Sequence, residues 1–277
     1  MEAPFPAPRR FRLDLAYDGR TFAGWQSQPG GGSIQDAVEE ALTATCPEVT
    51  SVQGSGRTDA GVSATAQVAH FDTPQDWRMD GWAWQRALNS KLPPTIRVMA
   101  CREVDRSFHA RFSAAEKIYE YEIATGEVLP PLRHGLAWHQ RGIGPAEVFE
   151  PILSRYLGTH DFGAFSAKRH DGHDDDRDTV RTLVEASARP SSEGEGLVLR
   201  FRGNGFLYKM VRFLVGTAVY VRLGRNSPEE MDELLGVGRG GSKAPYCAPA
   251  SGLFLVGVRY PGDFEIPPTV TSRTERP

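Results

Sequence analysis

One order of elements, met twice along the chain, constrains its fold more than any other feature. Phe11, Leu13 and Leu15 alternate with Arg12, Asp14 and Ala16, which is the period of a half-buried strand. After Gly30-Gly31-Gly32, Ser33 can cap a helix with Asp36 as its reciprocal partner. Ile34, Ala37, Val38, Ala41 and Leu42 then form an apolar helical stripe. Strands are expected over Val49–Gln53, Ala66–Asp72 and Ile96–Val104, and a helix over Gly81–Asn89 must end before Pro93-Pro94. The second half reads as a strand over Lys117–Ala124, a helix over Pro145–Leu157, and strands over Thr179–Ala188 and Leu197–Arg202. A helix from Phe206, a short helix over Pro228–Leu235 and a strand over Leu253–Tyr260 complete it. Each half is βαββαβ, a repeat of element order without visible sequence identity. The prediction is an α+β fold of two tandem ferredoxin-like domains with antiparallel sheets. The expected boundaries are a disordered lead-in over residues 1–9, domains over 10–108 and 109–264, and a tail over 265–277.

Bulk properties exclude several classes. The chain has 277 residues, enough to bury a substantial core, and its 40% hydrophobic content is that of a globular protein. Cys46, Cys101 and Cys247 are odd in number and widely spaced, which argues against a disulfide framework or zinc site and suits a reducing cytoplasm. The longest apolar stretch, Phe206 to Val221, is broken by Lys209 and Arg212 and reads as a buried helix rather than a membrane span. Residues Met1 to Arg10 lack the apolar core of a secretory signal. Net charge is −3, so any polyanion site must be a local patch. Candidates for it are Arg57, Arg86, Lys91, Arg106, Arg111, Lys168 and Arg169, offset by Asp171, Asp174, Asp175, Asp176 and Asp178.

Chemistry concentrates in Gly54-Ser55-Gly56-Arg57-Thr58-Asp59-Ala60-Gly61-Val62. The glycines let a ligand approach the main chain, and Arg57 stands two positions from a single carboxylate. An ionised, partly desolvated aspartate is a competent nucleophile or general base. Arg212 inside an apolar stretch calls for an anionic partner, although long side chains also escape to the surface. The run His170-Asp171-Gly172-His173-Asp174-Asp175-Asp176 lacks calcium-loop or zinc spacing and reads as a solvated loop, so no metal site is expected.

The string Gly56-Arg57-Thr58-Asp59-Ala60-Gly61-Val62, with Gln67-Val68-Ala69-His70-Phe71, resembles the signature of TruA-type tRNA pseudouridine synthases. Tyr17-Asp18-Gly19, Phe22-Ala23-Gly24-Trp25-Gln26 and Ala87-Leu88-Asn89 also match, in family order. So do Phe108-His109-Ala110-Arg111-Phe112-Ser113-Ala114 and Tyr119-Glu120-Tyr121, then Gly158-Thr159-His160-Asp161-Phe162. Gly205-Phe206-Leu207-Tyr208-Lys209-Met210-Val211-Arg212 and Ala248-Pro249-Ala250-Ser251-Gly252-Leu253 close the series, which spans roughly residues 11–260.

The resemblance implies two ferredoxin-like domains around a central RNA-binding cleft, and an isomerase converting uridine to pseudouridine at positions 38, 39 and 40 of the tRNA anticodon stem-loop. It makes Asp59 the catalytic aspartate, Arg57 a residue of base flipping, Tyr119 the ring that stacks on the target base, and Arg212 the ion-pair partner of Asp59. His109 and Arg111 are expected on RNA phosphate. The family also implies a homodimer holding one tRNA. Breaking uracil N1 from ribose C1′ and rejoining C1′ to C5 is an isomerisation, so its bookkeeping requires no cofactor. Whether Asp59 attacks as a nucleophile or removes a ribose proton remains open. Ser63 replaces the family's usual histidine and Ala66 its usual glycine, from which altered loop packing or RNA contacts are expected. A non-catalytic RNA binder would not need the Arg57-Thr58-Asp59 string, and a glycosidic hydrolase would want a second paired acid.

Overall fold

The computed structural model describes residues 8–168, 178–236 and 241–262. Residues 1–7 of the expected lead-in, the tail over 265–277 and the His170–Asp176 run lie outside them. Arg9, assigned to the lead-in, already belongs to the first strand, where its guanidinium pairs with Glu103.

The first half runs β1 (Arg9–Tyr17), α1 (Ile34–Thr43), β2 (Gln53–Gly54), β3 (Ser63–Thr73), α2 (Gly81–Lys91) and β4 (Ile96–Val104). The second runs β5 (Glu116–Ala124), β6 (Trp138–His139), α3 (Glu150–Leu153), β7 (Gly158–Asp161), β8 (Val180–Pro190), β9 (Gly196–Gly203), α4 (Met210–Arg222), α5 (Pro228–Leu234) and β10 (Leu253–Arg259). Phe11, Leu13, Leu15 and Tyr17 bury one face of β1. Ser33 and Asp36 form the reciprocal cap that opens α1.

The two expected sheets are one. Among the described residues the strand order is β4-β1-β3-β10-β5-β9-β8-β7, with β2 on β3 and β6 on β5. The halves meet where β10 lies parallel to β3, Phe254 opposite Ser63 and Leu255 opposite Ala64, whereas the path is otherwise antiparallel. That seam begins one residue beyond Val62, directly at the end of the Arg57–Gly61 loop. One apolar core runs through both halves, from Phe11, Phe71 and Trp84 to Tyr156, Phe201 and Leu214.

Three expected elements differ, each for a local reason. The Val49–Gln53 strand shrinks to Gln53–Gly54 because Glu39 takes the Val52 amide and Thr43 the Val49 carbonyl, diverting two ladder groups to side chains. The helix expected over 145–157 is three short turns, with α3 between 3₁₀ turns at Ala146–Phe149 and Ser154–Tyr156. Pro151 has no N–H to carry a continuous ladder through this segment. The helix expected from Phe206 starts at Met210, because Lys209 adopts a left-handed φ of 61°. Phe206 to Lys209 are thereby left as a turn that faces the cleft described next.

Candidate active site

Asp59 sits on a loop clamped from several sides. Thr58 is buried; its hydroxyl lies 2.8 Å from the Tyr17 hydroxyl, and its carbonyl accepts from the Trp25 amide. Buried Gln67 accepts from the Ser55 hydroxyl and donates to the Gly56 carbonyl. Gly61, at φ 81°, permits the turn that returns the Val62 amide to the Asp59 carbonyl. A carboxylate on such a loop is held in place before any ligand arrives, which is what catalysis by positioning demands.

The second half supplies its partner. Arg212 lies in the first turn of α4, and its Nη1 is 3.2 Å from Asp59 Oδ2, with both side chains largely buried. The guanidinium is aimed by its Nε, which donates to the Ala248 carbonyl at 2.7 Å. Ala248 in turn donates its amide to the Arg212 carbonyl. This strap can approach α4 because Gly216 has no side chain: a Cβ there would lie 2.2 Å from the Tyr246 carbonyl oxygen.

Asp59 lines a cleft of about 380 Å³ walled by both halves, within the range of about 300–1,000 Å³ usual for small-ligand sites, while Arg212 holds it from behind that lining. The Tyr119 ring forms one wall, buried and edge-on to Phe206 at 5.0 Å. Burial, reinforced by Tyr17 and Asp59, holds the Tyr119 phenol far above its ordinary titration range, so it stays neutral. Arg57 and Arg111 also line the cleft; Arg57 donates to Gln26 at 3.1 Å.

Not every expected contact converges here. His109 is absent from the cleft lining; its ring packs on His70 at 4.6 Å and Phe112 at 4.3 Å. Its Nδ1 accepts from the Arg111 and Phe112 amides, and burial with Arg10 and Arg111 nearby lowers its pKa, which favours a neutral ring that shapes this turn. Of the candidate basic patch, Arg86 lies over Trp82 on α2 and Arg106 near Asp72, while Arg169 is outside the described residues. Ser63 is buried and accepts from the Gly19 amide at 3.0 Å.

Sequence reasoning missed Lys117 and Lys209 in the cleft lining. The signal for Lys117 was available: it stands two positions before Tyr119 on β5, so strand alternation puts both on one face. Among the described residues no helix is long and apolar enough to cross a membrane, and no three His, Cys, Asp or Glu side chains converge as metal ligands.

Comparison with known proteins gives the family. A family model described as tRNA pseudouridine synthase matches residues 15–113 and 152–261. A tRNA pseudouridine synthase A of Akkermansia muciniphila is 40% identical over 252 residues, covering 91% of this chain and 95% of its own. Those of Thiobacillus denitrificans, 40% identical with 93% and 96% covered, and Brevibacillus brevis, 41% identical with 91% and 100% covered, are similar. This chain is an enzyme of the tRNA pseudouridine synthase family, of the TruA type.

Proposed function

We propose that this enzyme isomerises uridine to pseudouridine in the tRNA anticodon stem-loop, at positions 38, 39 and 40, with Asp59 as its nucleophile or base. The observation that carries the reading is the Asp59–Arg212 pair, built from segments 153 positions apart, with Asp59 in the same cleft as the Tyr119 ring. A paired uridine cannot reach such a cleft, so it is everted, at a cost of a few kcal/mol. Arg57, at the exposed rim, offsets that loss beside the displaced base, and Tyr119 receives the uracil face. Arg111 meets backbone phosphate. Uracil N1 leaves ribose C1′, the base turns, C1′ bonds to C5, and the C5 proton is lost as N1 gains one, so atoms balance without any added reactant.

The strand orders β4-β1-β3 with β2, and β10-β5-β9-β8, support reading residues 10–108 and 109–264 as two ferredoxin-like domains fused through their sheets. Family resemblance supports a homodimer that holds one tRNA, and three free cysteines suit a cytoplasmic setting. Unmodified tRNA transcripts incubated with enzyme and mapped for pseudouridine by position test the reading. Product confined to positions outside the anticodon stem-loop would overturn the site assignment, and absence of product the activity. Light scattering at assay concentration tests the dimer.

A further inference from the structure

Lys117 is a cation of the cleft that the reaction chemistry leaves unused. It is half-buried, lines the same wall as Tyr119, and has no hydrogen-bonding or ionic partner among the described residues. Its Nζ would lie 3.4 Å from a Cβ built on Gly56, so it reaches across to the catalytic loop. The acids of the same strand are turned to other partners: Glu116 pairs with Arg202 and Arg259, Glu120 with Arg189 and Arg200, and Glu122 with Arg133. The charged groups around Lys117 are Arg111, Arg181 of β8, Arg57, Lys209 and Asp59, and Asp59 is paired with Arg212. Cations thus surround a lysine that no neighbouring carboxylate neutralises.

We propose that Lys117 seats a phosphate of the everted nucleotide, so that this lysine and Tyr119 grip one nucleotide at its two ends. Two residues along a strand span roughly 7 Å, comparable to the reach from a base to its own backbone phosphate. The inference rests on the proposed function, because Tyr119 must receive the base. An anion bound here would offset the repulsion of Lys117 by Arg111 and Arg181. Burial, with Arg111 and Arg181 adding repulsion, lowers the Lys117 pKa to about 8. A phosphate therefore meets a lysine that is charged below that pH and neutral above it, and RNA affinity falls as pH rises through about 8.

The test measures binding of labelled tRNA transcript by turnover-dead Asp59→Asn enzyme across salt and pH series, with Lys117→Met and Lys117→Arg added separately. Lys117→Met is expected to weaken binding about 10-fold and to reduce the slope of log affinity against log salt by about 1. Lys117→Arg keeps binding and loses the pH dependence near 8, because arginine stays charged. Unchanged affinity and salt slope in Lys117→Met overturn the phosphate seat. So does a variant with Asp59 intact that binds normally but loses turnover, which makes Lys117 a proton-transfer group instead. If the wild-type enzyme forms no pseudouridine in tRNA, the functional reading fails separately, and binding of single-stranded oligouridylate by the same variants decides the seat.

Discussion

Arg212 Nη1 stands 3.2 Å from Asp59 Oδ2, and this ion pair couples the first turn of α4 to the loop that precedes β3. Neither half of the chain builds the site alone. The first offers a carboxylate on a rigid loop, and the second offers the counter-charge and the aromatic wall.

Removing either member should impair the reaction, to different extents and for different reasons. Asp59→Asn keeps the shape and is expected to abolish turnover while tRNA still binds. Arg212→Met leaves a largely buried carboxylate unpaired, and a loss of roughly 10²–10³ in kcat is expected. Single-turnover assays check both, and substantial activity in Asp59→Asn would remove the aspartate from the chemistry.

Gly216 tests whether the strap over α4 aims Arg212. Alanine there must push the Tyr246 carbonyl away, and Ala248 with it. The expected outcome is destabilisation by about 1–3 kcal/mol together with lower kcat, because overpacking and misaiming share one cause. Urea unfolding and kinetics on the same variant decide; an active enzyme of normal stability refutes the link.

Tyr119→Ala should lose a stacking surface worth about 1–3 kcal/mol, or roughly 5- to 150-fold in kcat/KM, whereas Tyr119→Phe should keep that share. Equal losses in the two variants would assign the effect to the hydroxyl rather than to the ring.

His70 makes stability depend on pH. It is 4% exposed, accepts from the Ala110 amide, and is pushed down to about 4 chiefly by burial, with Arg10 and His109 adding. An unfolded histidine takes its proton near about 6.5, so between those values the unfolded chain binds the extra proton. Stability is therefore complete above about 6.5 and falls as pH drops toward 4, by an amount on the order of 3 kcal/mol. Thermal unfolding across this window measures it, and His70→Asn should flatten the profile.

Local pattern was sufficient for much of this. The alternation of Phe11, Leu13 and Leu15, the Ser33–Asp36 cap and the Arg57-Thr58-Asp59 string are written in near neighbours, so they were legible directly. Helix starts were less so. Lys209 carries no residue signal for its left-handed backbone, which ends the turn that sets Phe206 against Tyr119.

By itself, the sequence determined the order of elements and the presence of one carboxylate on a glycine-rich loop, because turn, cap and strand preferences act over a few residues. Tertiary structure decided that two sheets become one along β3 and β10, that Arg212 reaches Asp59 rather than solvent, and that Lys117 joins Tyr119 in the cleft while His109 turns away. The sheet fusion and the ion pair depend on contacts between positions more than 100 apart, 153 for Asp59 and Arg212, where edge pairing, burial of charge and the space beside Gly216 set the geometry.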